Sequence, residues 1–156
     1  MLARHPLITE PMLAVTMLGS LTFAVITVTA LYSARKKELA GETLLGLLIA
    51  NSIVYISKVL VSRPRPEHIL PEVARYSTTS SFPSGHTATA FLLAGSLSSQ
   101  ISRRTAYTMA SLVGISRIYL GAHFPSDVVA GAAIGILTGR LVDYRKLFET
   151  ISSTSS

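Results

Sequence analysis

The sequence predicts an all-α protein, a polytopic membrane helix bundle with about five transmembrane helices in one domain over residues 1–156. Of its residues, 49% are hydrophobic and only 14% are charged, whereas a soluble domain is about a quarter charged. The mean hydropathy is +0.48, and the apolar residues come in long blocks. This composition disfavours a disordered chain and an ordinary soluble enzyme. The chain has no Cys, which excludes disulfides, zinc–thiolate sites and Cys nucleophiles.

The first two apolar blocks are long enough for transmembrane helices. Residues 12–31 are uncharged and can cross about 30 Å of hydrocarbon as one helix. A signal peptide is disfavoured, because Glu10 precedes this block and the basic residues 35–37 follow it. The second block, at about residues 43–61, contains Lys58, which is unusual for a helix that faces lipid.

Three shorter blocks follow the polar stretch 62–81. They cover about residues 84–101, 105–120 and 126–142, and they are rich in Ala, Gly, Ser and Thr. Such segments are marginal as isolated spans, but small residues let helix backbones approach closely inside a bundle. Gly131, Gly135 and Gly139 recur every fourth residue and predict a packing surface on the last helix.

The distribution of basic residues predicts the orientation in the membrane. With five spans, one side of the membrane receives Arg35, Lys36, Lys37, Arg103, Arg104, Arg140, Arg145 and Lys146. The positive-inside rule places this side and the C-terminus in the cytoplasm. The N-terminus and the long loop after the second span then face outward.

Polar residues that are unusual for membrane helices gather at the outward ends of the predicted spans. They are Lys58, Arg63, Arg65, Ser84, Gly85, His86, Arg117, His123 and Asp127. Taken singly, each has a structural explanation, such as an interfacial anchor, a solvated basic turn or a helix cap. Taken together on one face, they are explained more simply by one functional site.

The residue types of this cluster predict a ligand that resembles phosphate. Lys58, Arg65 and Arg117 supply cationic N–H donors, and an arginine can bind two phosphate oxygens at once. Ser84 and Gly85 lie at a predicted helix N-terminus, where backbone N–H groups and the helix dipole favour an anion.

The same cluster limits the chemistry. A two-metal phosphatase needs several carboxylate or His ligands, but Asp127 is the one carboxylate of the cluster, with Glu67 and Glu72 in the long loop. We therefore predict no metal and no cofactor. The remaining scheme has one imidazole, of His86 or His123, attack phosphorus while the other protonates the leaving oxygen. Asp127, four residues after His123, would orient the attacking ring.

The chain resembles the type 2 phosphatidic acid phosphatase superfamily in three signature segments. KxxxxxxRP occurs at residues 58–66, PSGH at 83–86 and SRxxxxxHxxxD at 116–127. The first segment selects Arg65 rather than Arg63 as the phosphate-binding arginine. The resemblance implies a family core that typically has six helices, so that the count of five lacks one N-terminal helix.

The resemblance also implies residue roles. His123 is the nucleophile that becomes phosphorylated, Asp127 orients it, and His86 is the general acid in a reaction independent of metals. The phosphate would be held by Lys58, Arg65, Ser84, Gly85 and Arg117.

The predicted function is that of a membrane lipid phosphatase at the extracytoplasmic face of the cell membrane. Its partner is a lipid phosphate within the bilayer rather than a nucleic acid. The family implies polyprenyl diphosphates, phosphatidate, phosphatidylglycerol phosphate or lipid A-type phosphates, and we favour an undecaprenyl-like diphosphate. The alternatives are a vanadate-dependent haloperoxidase-like enzyme, which shares the motifs, and a non-catalytic lipid-binding or transport bundle. No oligomeric state and no role for the loop 67–82 are predicted.

Overall fold

The computed structural model describes residues 6–66 and 80–154, and the side chains of residues 7–66 and 80–143. These residues form six α-helices and a 3-10 turn, with no strand among them. The helices are α1 (Pro6–Thr16), α2 (Leu21–Ser33), α3 (Lys37–Val61), α4 (Gly85–Leu97), α5 (Arg103–Tyr119) and α6 (Pro125–Thr154), and the 3-10 turn, Met17–Gly19, links α1 to α2. The all-α prediction is confirmed.

The single helix predicted for residues 12–31 is wrong, because this segment is divided between α1 and α2, which are bent by 53°. Ser20 has an extended backbone, and its side chain caps α2 by accepting a hydrogen bond from the Phe23 N–H. At Gly19 the chain touches α4 so closely that a Cβ would lie 2.5 Å from the His86 carbonyl oxygen. The described residues therefore contain six α-helices, and the bent α1–α2 pair covers the first of the five predicted spans.

Within the described residues, two helices, α3 and the Pro125–Asp143 part of α6, are long and apolar enough to cross a membrane, and the bent α1–α2 pair could form a third span. The hydrophobic side chains Leu48, Tyr55, Val59 and Leu60 of α3 are exposed on the bundle surface. α4 and α5 do not qualify alone, which agrees with the prediction that these segments depend on packing within the bundle.

α4 is the central helix of the bundle and packs on α6, α5, α3 and α2. Seven of its thirteen residues are buried, and all seven are Ala, Thr or Leu. α6 approaches it through two glycines: a Cβ on Gly131 would lie 2.4 Å from the Ser84 carbonyl oxygen, and one on Gly135 would lie 2.3 Å from the Ala88 carbonyl oxygen. Gly139 has no such neighbour. The predicted packing surface thus involves two of the three glycines.

The two ends of the bundle differ in character. At one end, the loop before α3 and the loop after α4 are joined by a hydrogen bond from the Lys36 ammonium to the Gln100 side chain. At the other end, α3 and α5 finish where α4 and α6 begin, because these neighbouring helices are antiparallel. The helix ends at this second end carry the polar residues singled out above.

Candidate active site

The helix ends bring the predicted site residues together. Lys58 lies in the last turn of α3 and Arg117 in the last turn of α5, whereas Asp127 lies in the first turn of α6. Ser84 caps α4 by accepting from the Thr87 N–H at 3.4 Å. The backbone N–H of Ser84 donates to the carbonyl of Asp127 at 3.0 Å, which joins the starts of α4 and α6.

His123 is buried in the turn between α5 and α6, and its ring is oriented by a main-chain group. Its Nδ1 lies 2.6 Å from the carbonyl oxygen of Ser81. A carbonyl can only accept a hydrogen bond, so Nδ1 carries the proton and Nε2 keeps its lone pair. Nε2 lies 3.5 Å from Nη1 of Arg65. The oriented imidazole thus presents its unprotonated nitrogen to the cationic side of the site.

Asp127 is fully buried beside this ring. Its Oδ2 accepts the Phe124 N–H at 2.9 Å and lies 3.7 Å from Nδ1 of His123. Its Oδ1 accepts from Nη1 of Arg63 at 2.9 Å. Asp127 is therefore next to the ring it was predicted to orient, while Ser81 makes the shorter contact to Nδ1.

Two of the three predicted phosphate-binding cations converge on one main-chain carbonyl. The Lys58 ammonium donates to the carbonyl oxygen of Ser80, which lies 3.5 Å from Nη2 of Arg65. Nη1 of Arg65 also donates to the Ala122 carbonyl oxygen at 2.8 Å. These contacts hold both cations beside the turn that carries His123.

Arg117, the third cation, is buried and reaches toward the N-terminal helices. Its Nη1 donates to Oγ1 of Thr16 at 2.9 Å. Its Nε is buried and has no hydrogen-bond partner within the described part of the chain. A buried donor without a partner is costly, so this guanidinium is suited to a bound acceptor such as a phosphate oxygen.

Electrostatics keep the nucleophile candidate neutral. Burial lowers the pKa of His123 well below its ordinary value. The positive charges of Arg117, Arg65 and Lys58 lower this pKa further, and the hydrogen bond to the Ser81 carbonyl opposes them. The same three cations act on His86, so both histidines belong to one electrostatic cluster.

Gly85 is not required by the packing of α4. A Cβ there would meet only Cγ1 of Val54 at 3.6 Å, an ordinary van der Waals contact. Its lack of a side chain leaves the start of α4 open, as an anion approaching the helix N-terminus requires.

Sequence reasoning missed several contributors to the site. Thr16 is a polar residue inside an apolar block, and this position could have indicated a contact with the site. Arg63 was not chosen, because the signature segment selected Arg65. Ser81 acts through its main-chain carbonyl, which no residue type reveals. Residues 67–79, including Glu67, Glu72 and Tyr76, lie outside the described residues. Among the residues that are described, no group of three or more His, Cys, Asp or Glu side chains could hold a metal.

Comparison with known proteins places this chain in a family. The family model described as "PAP2 superfamily" matches residues 39–148, which is more than half of the chain. A lipid A 1-phosphatase of Porphyromonas gingivalis is 39% identical over 62% of this chain, although the match spans only 21% of that longer protein. A decaprenylphosphoryl-5-phosphoribose phosphatase of Mycobacterium tuberculosis is 33% identical over 81% of this chain and 71% of its own length.

A solved structure supports the same relationship. The crystal structure of a transmembrane PAP2-type phosphatidylglycerolphosphate phosphatase from Bacillus subtilis matches with a TM-score of 0.79 and 30% identity, covering 93% of this chain and 79% of that one. Sequence and structure agree, and the chain belongs to the PAP2 superfamily.

Proposed function

We propose that this membrane lipid phosphatase of the PAP2 type removes a phosphate from a lipid head group through a phosphohistidine on His123. The observation that carries the proposal is the 2.6 Å contact between Nδ1 of His123 and the Ser81 carbonyl oxygen. It leaves Nε2 as the nucleophilic atom, beside Arg65. A neutral imidazole with a fixed tautomer, facing cations, is prepared to attack phosphorus.

The reaction proceeds in two displacements. Nε2 of His123 forms a bond to phosphorus while the bond from phosphorus to the lipid oxygen breaks. His86 takes up a proton once the negative charge of the bound phosphate offsets the surrounding cations, and it donates that proton to the lipid oxygen. Asp127 stabilises the positive charge of the phosphorylated imidazole. A water molecule, deprotonated by His86, then attacks phosphorus, and the P–N bond breaks to release phosphate and neutral His123.

The cationic groups stabilise the charge that spreads over the phosphoryl oxygens in each transition state. Lys58 and Arg65 lie on the side of the site formed by Ser80, and Arg117 lies on the side formed by α5. Ser84 and Gly85 add the N-terminus of α4. This set supplies positive charge and N–H donors without requiring a metal ion.

We propose that the site faces the extracytoplasmic side, with the C-terminus in the cytoplasm. The supporting observation is that basic residues of the connecting segments lie at the end of the bundle opposite the site. The loop containing Arg35 and Lys36 is joined to Gln100 at the end opposite His123. The positive-inside rule assigns such a basic end to the cytoplasm.

The proposed substrate is a membrane lipid that carries a terminal phosphate. The names of the related proteins include lipid A, decaprenylphosphoryl-5-phosphoribose and phosphatidylglycerolphosphate, which share an apolar anchor and a phosphorylated head group. Tyr55 and Val59 are exposed on α3, next to Lys58. A lipid tail could therefore stay in the bilayer along α3 while its phosphate reaches the cations. An undecaprenyl-like diphosphate fits the same description.

The test is phosphate release by the purified protein from a panel of lipid phosphates and diphosphates in detergent micelles. His123→Ala should lose activity by at least about 1,000-fold, as expected for removal of a nucleophile. Asp127→Asn and Asp143→Asn form a matched pair on α6, because Asp143 is exposed and lies far from the site. The first should lose about 100-fold or more and the second almost nothing.

A trapping experiment tests the intermediate directly. With a phosphate ester whose leaving group needs no protonation, His86→Ala should still transfer phosphate to His123, and the acid-labile phosphoenzyme should accumulate. Full activity of His123→Ala would contradict the proposal. So would covalently bound phosphate that persists in that variant. Halide oxidation that depends on vanadate and peroxide would instead favour the haloperoxidase-like alternative.

A further inference from the structure

We propose that Arg63 is a positioning residue that fixes Asp127 behind the nucleophile His123. Arg63 occupies one of the unspecified positions of the first signature segment and holds no role there. This inference rests on the proposed function, because it assigns Arg63 to the same reaction. Its basis is a set of contacts that are independent of the phosphate-binding side of the site.

The side chain of Arg63 binds the turn that leads into α6. Its Nη1 donates to Oδ1 of Asp127 at 2.9 Å and to Oγ of Ser126 at 2.8 Å. Its guanidinium carbon lies 4.1 Å from the centre of the Phe124 ring, which is the geometry of a cation–π contact. One guanidinium thus contacts three residues of the turn that follows His123.

The main chain of Arg63 supports the other partner of the same imidazole. Its carbonyl oxygen accepts the Ser81 N–H at 2.9 Å, and the Ser81 hydroxyl donates to the Pro64 carbonyl at 3.0 Å. The Ser81 carbonyl in turn accepts from Nδ1 of His123. Both groups that face Nδ1, the Ser81 carbonyl and the Asp127 carboxylate, are therefore attached to Arg63.

Burial explains why Asp127 requires such a partner. Its side chain has no exposure to solvent, whereas that of Arg63 is 35% exposed. A buried carboxylate is tolerated when it is paired and its lone pairs are used. Oδ2 is held by the Phe124 N–H, so Arg63 is the cation bound to Oδ1. Without it, Oδ1 would lose its cationic partner, and the carboxylate could turn about the contact between Oδ2 and the Phe124 N–H.

Arg63 and Arg65 serve opposite edges of one imidazole. Nη1 of Arg65 lies 3.5 Å from Nε2 of His123, the atom proposed to attack phosphorus. Arg63 acts on the Nδ1 edge through Asp127 and Ser81. The two arginines should therefore give different kinetic effects when replaced: Arg65 should affect substrate binding, and Arg63 should affect the chemical step.

The test is a double-mutant cycle between Arg63→Ala and Asp127→Asn, with Arg104→Ala, an exposed arginine at the other end of the bundle, as the control. Arg63→Ala should lower kcat by about 10- to 100-fold, the usual cost of losing an orienting partner. KM and competitive inhibition by inorganic phosphate should change little. In the Asp127→Asn background, the same substitution should cost less than about threefold, because the partner is already altered.

One further variant and one chemical rescue separate positioning from folding. Arg63→Lys keeps the charge but not the planar fork, so it should lose less activity than Arg63→Ala. Guanidinium chloride at low millimolar concentration should partly restore kcat of Arg63→Ala and leave the Arg104→Ala control unchanged. Equal losses in the wild-type and Asp127→Asn backgrounds would overturn the proposal. So would a rise in KM and in the phosphate inhibition constant with unchanged kcat, which would make Arg63 a phosphate ligand.

Thermal unfolding of the four proteins of the cycle distinguishes this inference from the proposed function. These are the wild type, Arg63→Ala, Asp127→Asn and the double variant. If the wild-type protein releases no phosphate from any lipid, the proposed function fails. Strong coupling between Arg63 and Asp127 in the unfolding cycle would then still support the proposed contact between their side chains. Additive shifts in the unfolding temperature would refute that contact, whether or not the protein is active.

Discussion

The close approach of α6 to the start of α4 gives the sharpest prediction, which concerns Gly131→Ala. The added Cβ would lie 2.4 Å from the Ser84 carbonyl oxygen, and ordinary contact begins at 3.4 Å. The two helices must therefore separate by about 1 Å, which typically costs about 1–3 kcal/mol of unfolding free energy. Since Ser84 belongs to the proposed phosphate site, a displacement of this size should lower kcat/KM by about 100-fold.

Gly139→Ala is the matched control, on the same helix and two turns away. A Cβ there meets no atom within 4 Å, so the substitution should keep full activity and could stabilise the helix by about 0.5–1 kcal/mol. The assay is thermal unfolding in detergent micelles together with phosphate release. If Gly131→Ala matches the wild type in both measurements, the reasoning from helix contact is refuted. Equal losses in both variants would refute it as well.

Three other predictions concern the site itself. Thr16→Val leaves the Arg117 donor unpaired, at a cost of about 1–3 kcal/mol, so kcat/KM should fall by roughly fivefold to 100-fold, whereas Thr16→Ser should stay near the wild-type value. Because burial and cations lower the pKa of His123, this imidazole should remain neutral at about pH 5 in an NMR titration, below the ordinary pKa of about 6.5. Lys58→Gln removes one of those cations and should raise this pKa, and an unchanged titration would contradict the electrostatic reasoning. Phosphate release should persist in EDTA, and a loss of activity that added Mg²⁺ restores would contradict the metal-independent mechanism. Vanadate should inhibit the release competitively.

Much of the fold followed from the pattern of apolar blocks. The later helices lie where those blocks predicted them, because length and apolarity specify a membrane helix directly. Their ends differ from the predicted bounds by four residues or fewer, except that α3 begins six residues earlier and α6 continues twelve residues further. The first block was misjudged, because hydropathy does not detect a bend. At the break, Gly19 lies against the carbonyl of His86, 67 residues further along the chain. A contact between two distant segments has no local signal.

The candidate site divides in the same way. Charged and polar side chains at the ends of apolar helices indicate a functional site. The sequence therefore singles out Lys58, Arg65, Ser84, Arg117, His123 and Asp127. Their roles remain proposals, but the structure gathers them at one end of the bundle.

The sequence by itself determined the all-helical membrane architecture and the family, because both depend on residue types and their spacing. Only the tertiary structure decided which groups face each edge of His123. The Ser81 carbonyl, the Arg63 guanidinium and the Asp127 carboxylate come from three separate segments, and their distances are set by how α3, α5 and α6 pack. Orientation of a ring is a property of packing, and for that reason the proposed direction of attack through Nε2 emerged only in three dimensions.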